Sequence, residues 1–178
     1  MNDPDRGGRI LANTVVSPDP GSDCPAGSID PRCGVTVSVL AGALSMTAPM
    51  SADLGFTYPG GSASAGLGTV QVTDTRGFGA DWTVTVSATG FTTGSGTTPE
   101  TIPAGDAFYD VAGLSSATGL ANFSAAPQTI LSGNPQPIVS AINVDGDTSA
   151  AWDPLIDVQV PAMAIAGQYT ATIVHSVS

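Results

Sequence analysis

The sequence predicts an all-β fold: an antiparallel β-sandwich of the immunoglobulin-like, Greek-key type, behind an N-terminal extension. Apolar residues recur at every second position in one segment after another. The 22 glycines and 14 prolines are spread so evenly that few windows of the 178-residue chain could hold three helical turns. Turn clusters such as Pro59-Gly60-Gly61 and Gly94-Ser95-Gly96 separate the alternating runs. Short strands parted by such turns stack as two facing sheets.

Residues 1–34 form the extension. They hold a large share of the chain's few charges, and several prolines. Within them Arg9 to Val16 reads as one strand, with Ile10, Leu11, Val15 and Val16 its apolar residues, ended by Pro18, Pro20 and Gly21. Cys24 and Cys33 follow in a Pro/Gly/Asp-rich stretch. A disulfide closing that small loop, in an oxidising compartment, is the favoured reading; two free thiols in a reducing cytosol is the alternative. A zinc site would need more ligands nearby, and the one histidine is His175.

Residues 35–178 form the domain. Val35, Val37 and Val39 alternate with Thr36 and Ser38, predicting its first strand. Val70 and Val72 alternate with Thr69, Gln71 and Thr73, and Trp82, Val84 and Val86 with Thr83, Thr85 and Ser87. Residues 104–111 read as a strand carrying Asp106 and Asp110 on one solvated face. An Asp145-Gly146 hairpin turn is expected between strands at 137–142 and 151–160. Ile156, Val158 and Val160 alternate next; then Tyr169, Ala171, Ile173, His175 and Val177 share a last face. Alternation with Thr, Ser and Gln marks strands with one wet side.

Charge narrows the function. Fifteen acids face four arginines and no lysine, for a net charge of −11. Such a surface cannot neutralise phosphates, which excludes nucleic acid and anionic lipid as partners. No apolar run approaches the roughly 18 to 20 residues that span a bilayer, so no membrane insertion is expected. The residues Met1 to Asp5 lack the basic and apolar regions of a signal peptide; either a leader has been removed or export takes another route.

Two blocks of sequence carry a resemblance. Leu67-Gly68-Thr69-Val70-Gln71-Val72-Thr73-Asp74-Thr75-Arg76-Gly77, followed by Asp81-Trp82-Thr83-Val84, is similar to the first signature of the WxL surface-domain family, where a V-x-D-x-R strand end leads into W-x-L. Val158-Gln159-Val160-Pro161 and Ala166-Gly167-Gln168-Tyr169-Thr170-Ala171-Thr172-Ile173 resemble its C-terminal L-x-V-P and G-x-Y-x-A-x-L block. The likeness covers most of 35–178. Trp82-Thr83-Val84 is W-x-V, and His175-Ser176-Val177 stands where a second W-x-L would fall, so the resemblance is to a divergent, secreted, actinobacterial type. It implies an extracellular protein held non-covalently to cell-wall peptidoglycan and working beside partner surface proteins.

The candidate site residues are few. Trp82 is expected in the core, with a glycan platform as its second reading. Trp152, between the Asp145-Gly146-Asp147 turn and Asp153-Pro154, is the better carbohydrate contact of the two, although packing accounts for it as well. His175 reads as a packed, hydrogen-bonded histidine. Asn143, Asp145 and Asp147 resemble the opening of a calcium loop, but Thr148 and Pro154 stand where its glycine and bidentate acid belong. Asp74 and Arg76 read as an ion pair fixing the turn before Gly77. No base, nucleophile and oxyanion donor assemble from this inventory, and no cofactor is implied.

The expectation is therefore a non-catalytic extracellular surface module whose partner is peptidoglycan or another surface protein. The alternative is a structural subunit of a filament or surface layer, self-assembled by adding the strand of residues 1–34 to a neighbour's sheet edge. A phage or virus surface protein is a variant of that second reading.

Overall fold

A computed structural model describes residues 37–178 of the chain. The expected strand at Arg9 to Val16 and the expected Cys24–Cys33 bridge lie outside the described residues. One compact unit runs from Ala41 to Ser178. The described residues are all-β and antiparallel, with only two single-turn 3₁₀ segments, Thr98–Glu100 and Ala104–Asp106.

The larger sheet is organised around one long strand. β1 (Leu44–Thr47), β3 (Val70–Asp74), β4 (Trp82–Ala88), β8 (Ser116–Ala125), β10 (Gln136–Trp152) and β12 (Ile173–Val177) belong to it. The first half of β10 pairs with β4 and its second half with β3, so β3 and β4 lie end to end along one side of it. β8 runs along the other side. β12 and β1 extend the sheet beyond β4 and β3 respectively. The result is four rows: β12 and β1, then β4 and β3, then β10, then β8.

The second sheet has the order β2 (Ser62–Gly66), β11 (Leu155–Gln159), β7 (Ala107–Asp110), β9 (Gln128–Ile130). β5 (Phe91–Thr92) and β6 (Thr101–Ile102) make a small ribbon. Alternation predicts burial well in the inner rows. Val70, Val72, Trp82, Val84 and Val86 turn into the core with Tyr109, Ile156 and Val158 of the second sheet, while the threonines between them stay wetter. Burying each such aliphatic side chain contributes roughly 1.5–3 kcal/mol.

Three expectations are corrected. Residues 37–43 form no strand, and Val37 and Val39 are exposed; period two names the face a strand would bury, but pairing needs a neighbour. Residues 104–106 are a 3₁₀ turn, so Asp106 does not share a strand face with Asp110. Asp145-Gly146 is not a hairpin turn, because β10 runs straight through it. Two residues of β10, Asn143 and Val144, oppose one of β8, and then Gly146, Asp147 and Thr148 oppose Gly119. These bulges use left-handed backbone at Asn143 (φ 55°) and Gly146 (φ 84°), which a short polar side chain and glycine tolerate. Gly119 is itself at φ 93°, and a Cβ there would stand 2.2 Å from the Asp147 carbonyl oxygen. An Asp-Gly pair therefore kinks a long strand here instead of reversing the chain.

Candidate functional site

Opposite those bulges, the chain leaves the sheet between β3 and β4 as a seven-residue excursion, 75–81. Its closure explains why Asp74, Arg76 and Trp82 stand where they do. Asp74 ends β3 pointing into the core with no exposed surface. The Arg76 guanidinium covers it with two bonds, Nε to Oδ1 at 2.9 Å and an η nitrogen to Oδ2 at 3.0 Å. The same η nitrogen donates onward to the carbonyls of Ala80 (3.0 Å) and Asp81 (3.2 Å), pulling the far end of the excursion back. Hydrogen bonding from Arg76 holds the Asp74 carboxyl below the usual carboxylate range, despite the opposing cost of burial.

The other side of the excursion clasps β10. The Asp81 carboxylate accepts the Val144 N–H at 3.1 Å, and the Gly79 N–H donates to the Val144 carbonyl at 2.9 Å. Trp82 then opens β4, its indole N–H donating to the Thr148 hydroxyl at 3.1 Å. The pairing of Asp74 with Arg76 thus fixes the turn, as its spacing predicts, and the bulged stretch of β10 is the surface on which the excursion seats. Asn143, Asp145 and Asp147 belong to that stretch; among the described residues no three His, Cys, Asp or Glu side chains group as metal ligands.

A second polar chain bridges the two sheets. Trp152 Nε1 donates to the Tyr109 hydroxyl at 3.1 Å, and that hydroxyl lies 2.9 Å from His175 Nε2. The phenol and imidazole rings meet edge to face, with centroids 5.5 Å apart. Desolvation raises the Tyr109 pKa far above its ordinary value and lowers that of His175. The indole N–H can only donate, so the tyrosine oxygen accepts it; with burial favouring the neutral imidazole, donation from the phenol to Nε2 is the arrangement that also gives the buried phenol proton an acceptor. His175 is neutral, with its proton on Nδ1. The histidine is packed and hydrogen-bonded, as a lone histidine on an apolar strand face should be.

Both tryptophans are interior. Trp152 is 0% exposed and Trp82 1%. The carbohydrate reading of each is corrected, because neither offers a ring face to a sugar. Trp152 reads as a loop residue only if Asp145-Gly146 turns the chain; with β10 continuous, it is the last strand residue before the chain crosses to the other sheet. Among the described residues every buried side-chain polar atom has a partner.

The aromatic rings that face solvent are Phe78, 85% exposed within the 75–81 excursion, and a pair between β1 and β2. Phe56 is 93% exposed and Tyr58 79%, on the connection between β1 and β2. Asp53 Oδ1 accepts the Gly55 N–H at 2.8 Å before them. Behind them a turn donates Gly61 N–H to the Tyr58 carbonyl at 2.9 Å, and Gly60 N–H to the Val160 carbonyl at 3.0 Å. Sequence reasoning missed this pair, since the connection has no period-two pattern to place it. The available signal was two aromatics, two positions apart, between Gly55 and Pro59-Gly60-Gly61. The surface also carries two shallow hollows, one lined by Asp110, Ala112, Ala125 and Gln128, the other by Thr98, Thr101, Asp106 and Met163. Among the described residues no helix is long and apolar enough to cross a membrane. The chain matches no protein-family model and no curated protein.

Proposed function

We propose that the chain is a non-catalytic extracellular surface module of WxL-like type, held to peptidoglycan or to a partner surface protein. One observation carries the reading: the groups that chemistry would recruit face inward and occupy one another, whereas Phe56 and Tyr58 face outward. His175, Tyr109 and Trp152 form a closed hydrogen-bond chain, and the Asp74 carboxylate is spent on Arg76. Exposed aromatic rings stack on the apolar faces of sugars, so Phe56 and Tyr58 replace the tryptophans as the glycan contacts. A Cys24–Cys33 bridge belongs to this reading as the mark of an oxidising exterior. Co-sedimentation with purified cell-wall sacculi tests it. Wild type should pellet with the walls, and the double variant Phe56→Ala/Tyr58→Ala should lose about tenfold in retention. Absence of wild-type retention, or equal retention by the variant, overturns it.

A second reading, a subunit of a filament or surface layer, is favoured by the β8 edge. That strand is ten residues long and pairs, among the described residues, with β10 alone. A long unpaired edge is a template for another strand.

A further inference from the structure

We propose that β8 is the acceptor edge for strand addition, and that its occupant is the segment around Arg9–Val16 of a second copy of this chain. The inference rests on the assembly reading above and names the two surfaces that meet. The described residues offer five outer strands of four rows and a second sheet: β1, β12, β2, β9 and β8. The first four span three to five residues each. β8 spans ten, on the order of 33 Å of backbone. Natural edges are blunted by shortness, charge, proline or bulges; Ser-Ala-Thr-Gly-Leu-Ala-Asn-Phe-Ser-Ala has none of the first three, and the extra residues of the bulges beside it belong to β10, with Gly119 the one left-handed position of β8 itself.

Its side chains are also incomplete as a core boundary. Ala121, Phe123 and Ala125 point inward and pack on the core, yet stay only partly buried, because β8 is the last row. On the outer face Leu120 is 70% exposed. One more strand with apolar residues at alternate positions would close that margin. Ile10 and Val16 fall on one face of an extended Arg9–Val16 segment, and Leu11 and Val15 on the other, so either orientation supplies an apolar partner.

Charge selects this occupant over a second β8. Residues 6–18 carry Arg6 and Arg9 and no acid, whereas residues 35–178 carry ten of the fifteen acids and a single arginine, Arg76, already bound to Asp74. Two β8 edges would bring two strongly acidic domains together with no cation between them; the Arg6–Val16 segment brings two. The twenty residues 17–36 include Pro18, Pro20, Pro25 and Pro31. Proline in a linker biases it toward extended backbone, which suits reaching the edge of a neighbour.

The test uses two full-length variants, alone and mixed, by analytical ultracentrifugation across a concentration series. Ile10→Asp/Val15→Asp spoils both faces of the donor, and Ala121→Lys places a charge at the inward margin of the acceptor. Near-UV circular dichroism from the buried Trp82 and Trp152 verifies that each domain is folded; should Ala121→Lys disturb it, Asn122→Lys on the exposed face replaces it. Wild type should assemble beyond the monomer, each variant alone should remain monomeric, and an equal mixture should form dimers and nothing larger. The mixture is decisive, because one variant keeps a sound donor and the other a sound β8. Assembly by the donor variant alone would mean β8 pairs with β8, and no dimers in the mixture would mean the segment packs on its own domain or nowhere. Either overturns the proposal. Wall retention through Phe56 and Tyr58 is measured separately, so loss of assembly with retention intact leaves the surface-module reading standing.

Discussion

The two flanks of β10 are built to different specifications. Along one flank, β3 and β4 turn every second residue into the core, and their inward residues are the large ones: Val70, Val72, Trp82, Val84 and Val86. Along the other, β8 sets small residues against the same strand, and its first five positions are exposed on both faces. A strand between the two flanks is stabilised from one side by full apolar burial and from the other by backbone hydrogen bonds and the partly buried Ala121, Phe123 and Ala125, with Phe123 against Trp82. Stability resides on the valine flank; availability to another chain resides on the small-residue flank.

The contrast is sharpest for a pair of truncations. Trp152→Ala should cost about 3–5 kcal/mol, because it empties an indole-sized volume and leaves the Tyr109 hydroxyl without its donor. Leu120→Ala on β8 should change stability by less than about 0.5 kcal/mol. Urea denaturation midpoints of the two variants give the comparison directly. Equal costs would mean that β8 contributes to the core as much as β10 does.

The same contrast explains what the sequence could reveal. β3, β4, β11 and β12 were legible because each buries one face, so a two-residue period is written into the choice of valine against threonine. β8 is written more faintly: only its second half alternates, with Ala121, Phe123 and Ala125 inward between Asn122 and Ser124, while its first five positions bury nothing and carry no period. The bulges of β10 look like a turn in the sequence for a related reason. Asn-Val-Asp-Gly-Asp specifies left-handed backbone at Asn143 and Gly146, and that local requirement is common to a hairpin and to a kinked strand. Only the partners, Gly119 on one side and Val144 with the 75–81 excursion on the other, decide between them. The ion pair of Asp74 and Arg76 was readable because both members lie within one turn of chain. The Trp152–Tyr109–His175 chain joins three strands from two sheets, and no local spacing announces it.

The clasp on the valine flank should respond to acid. Removing the guanidinium in Arg76→Ala leaves the Asp74 carboxylate buried and short of donors, which should cost about 2 kcal/mol at neutral pH, moderated by the partial exposure of the arginine. The folded Asp74 pKa lies below its ordinary 3.8. Its contribution is therefore complete above that value and disappears as pH falls through the lower folded one. The difference between wild type and Arg76→Ala should shrink below pH 4 in denaturation curves. A difference independent of pH would place the effect in the bonds to Ala80 and Asp81 instead.

A smaller and cleaner effect belongs to His175, since it is the one histidine of the chain. Burial lowers its folded pKa below the ordinary 6.5, so the unfolded chain takes up a proton first as pH falls. Stability should decline below about pH 6.5, by at most about 1.4 kcal/mol per pH unit, over the interval in which only the unfolded state is protonated. Protonation of the folded form is resisted because Nε2 would become a donor, leaving the Tyr109 proton with no acceptor while Trp152 still occupies the tyrosine oxygen. His175→Gln retains an acceptor for that proton and cannot titrate. Its urea midpoint should stay level between pH 7.5 and 5, while that of wild type falls. A variant that declines in parallel with wild type would show that the acid response originates outside the three-residue chain, and that the bridge between the sheets is indifferent to the charge on its imidazole.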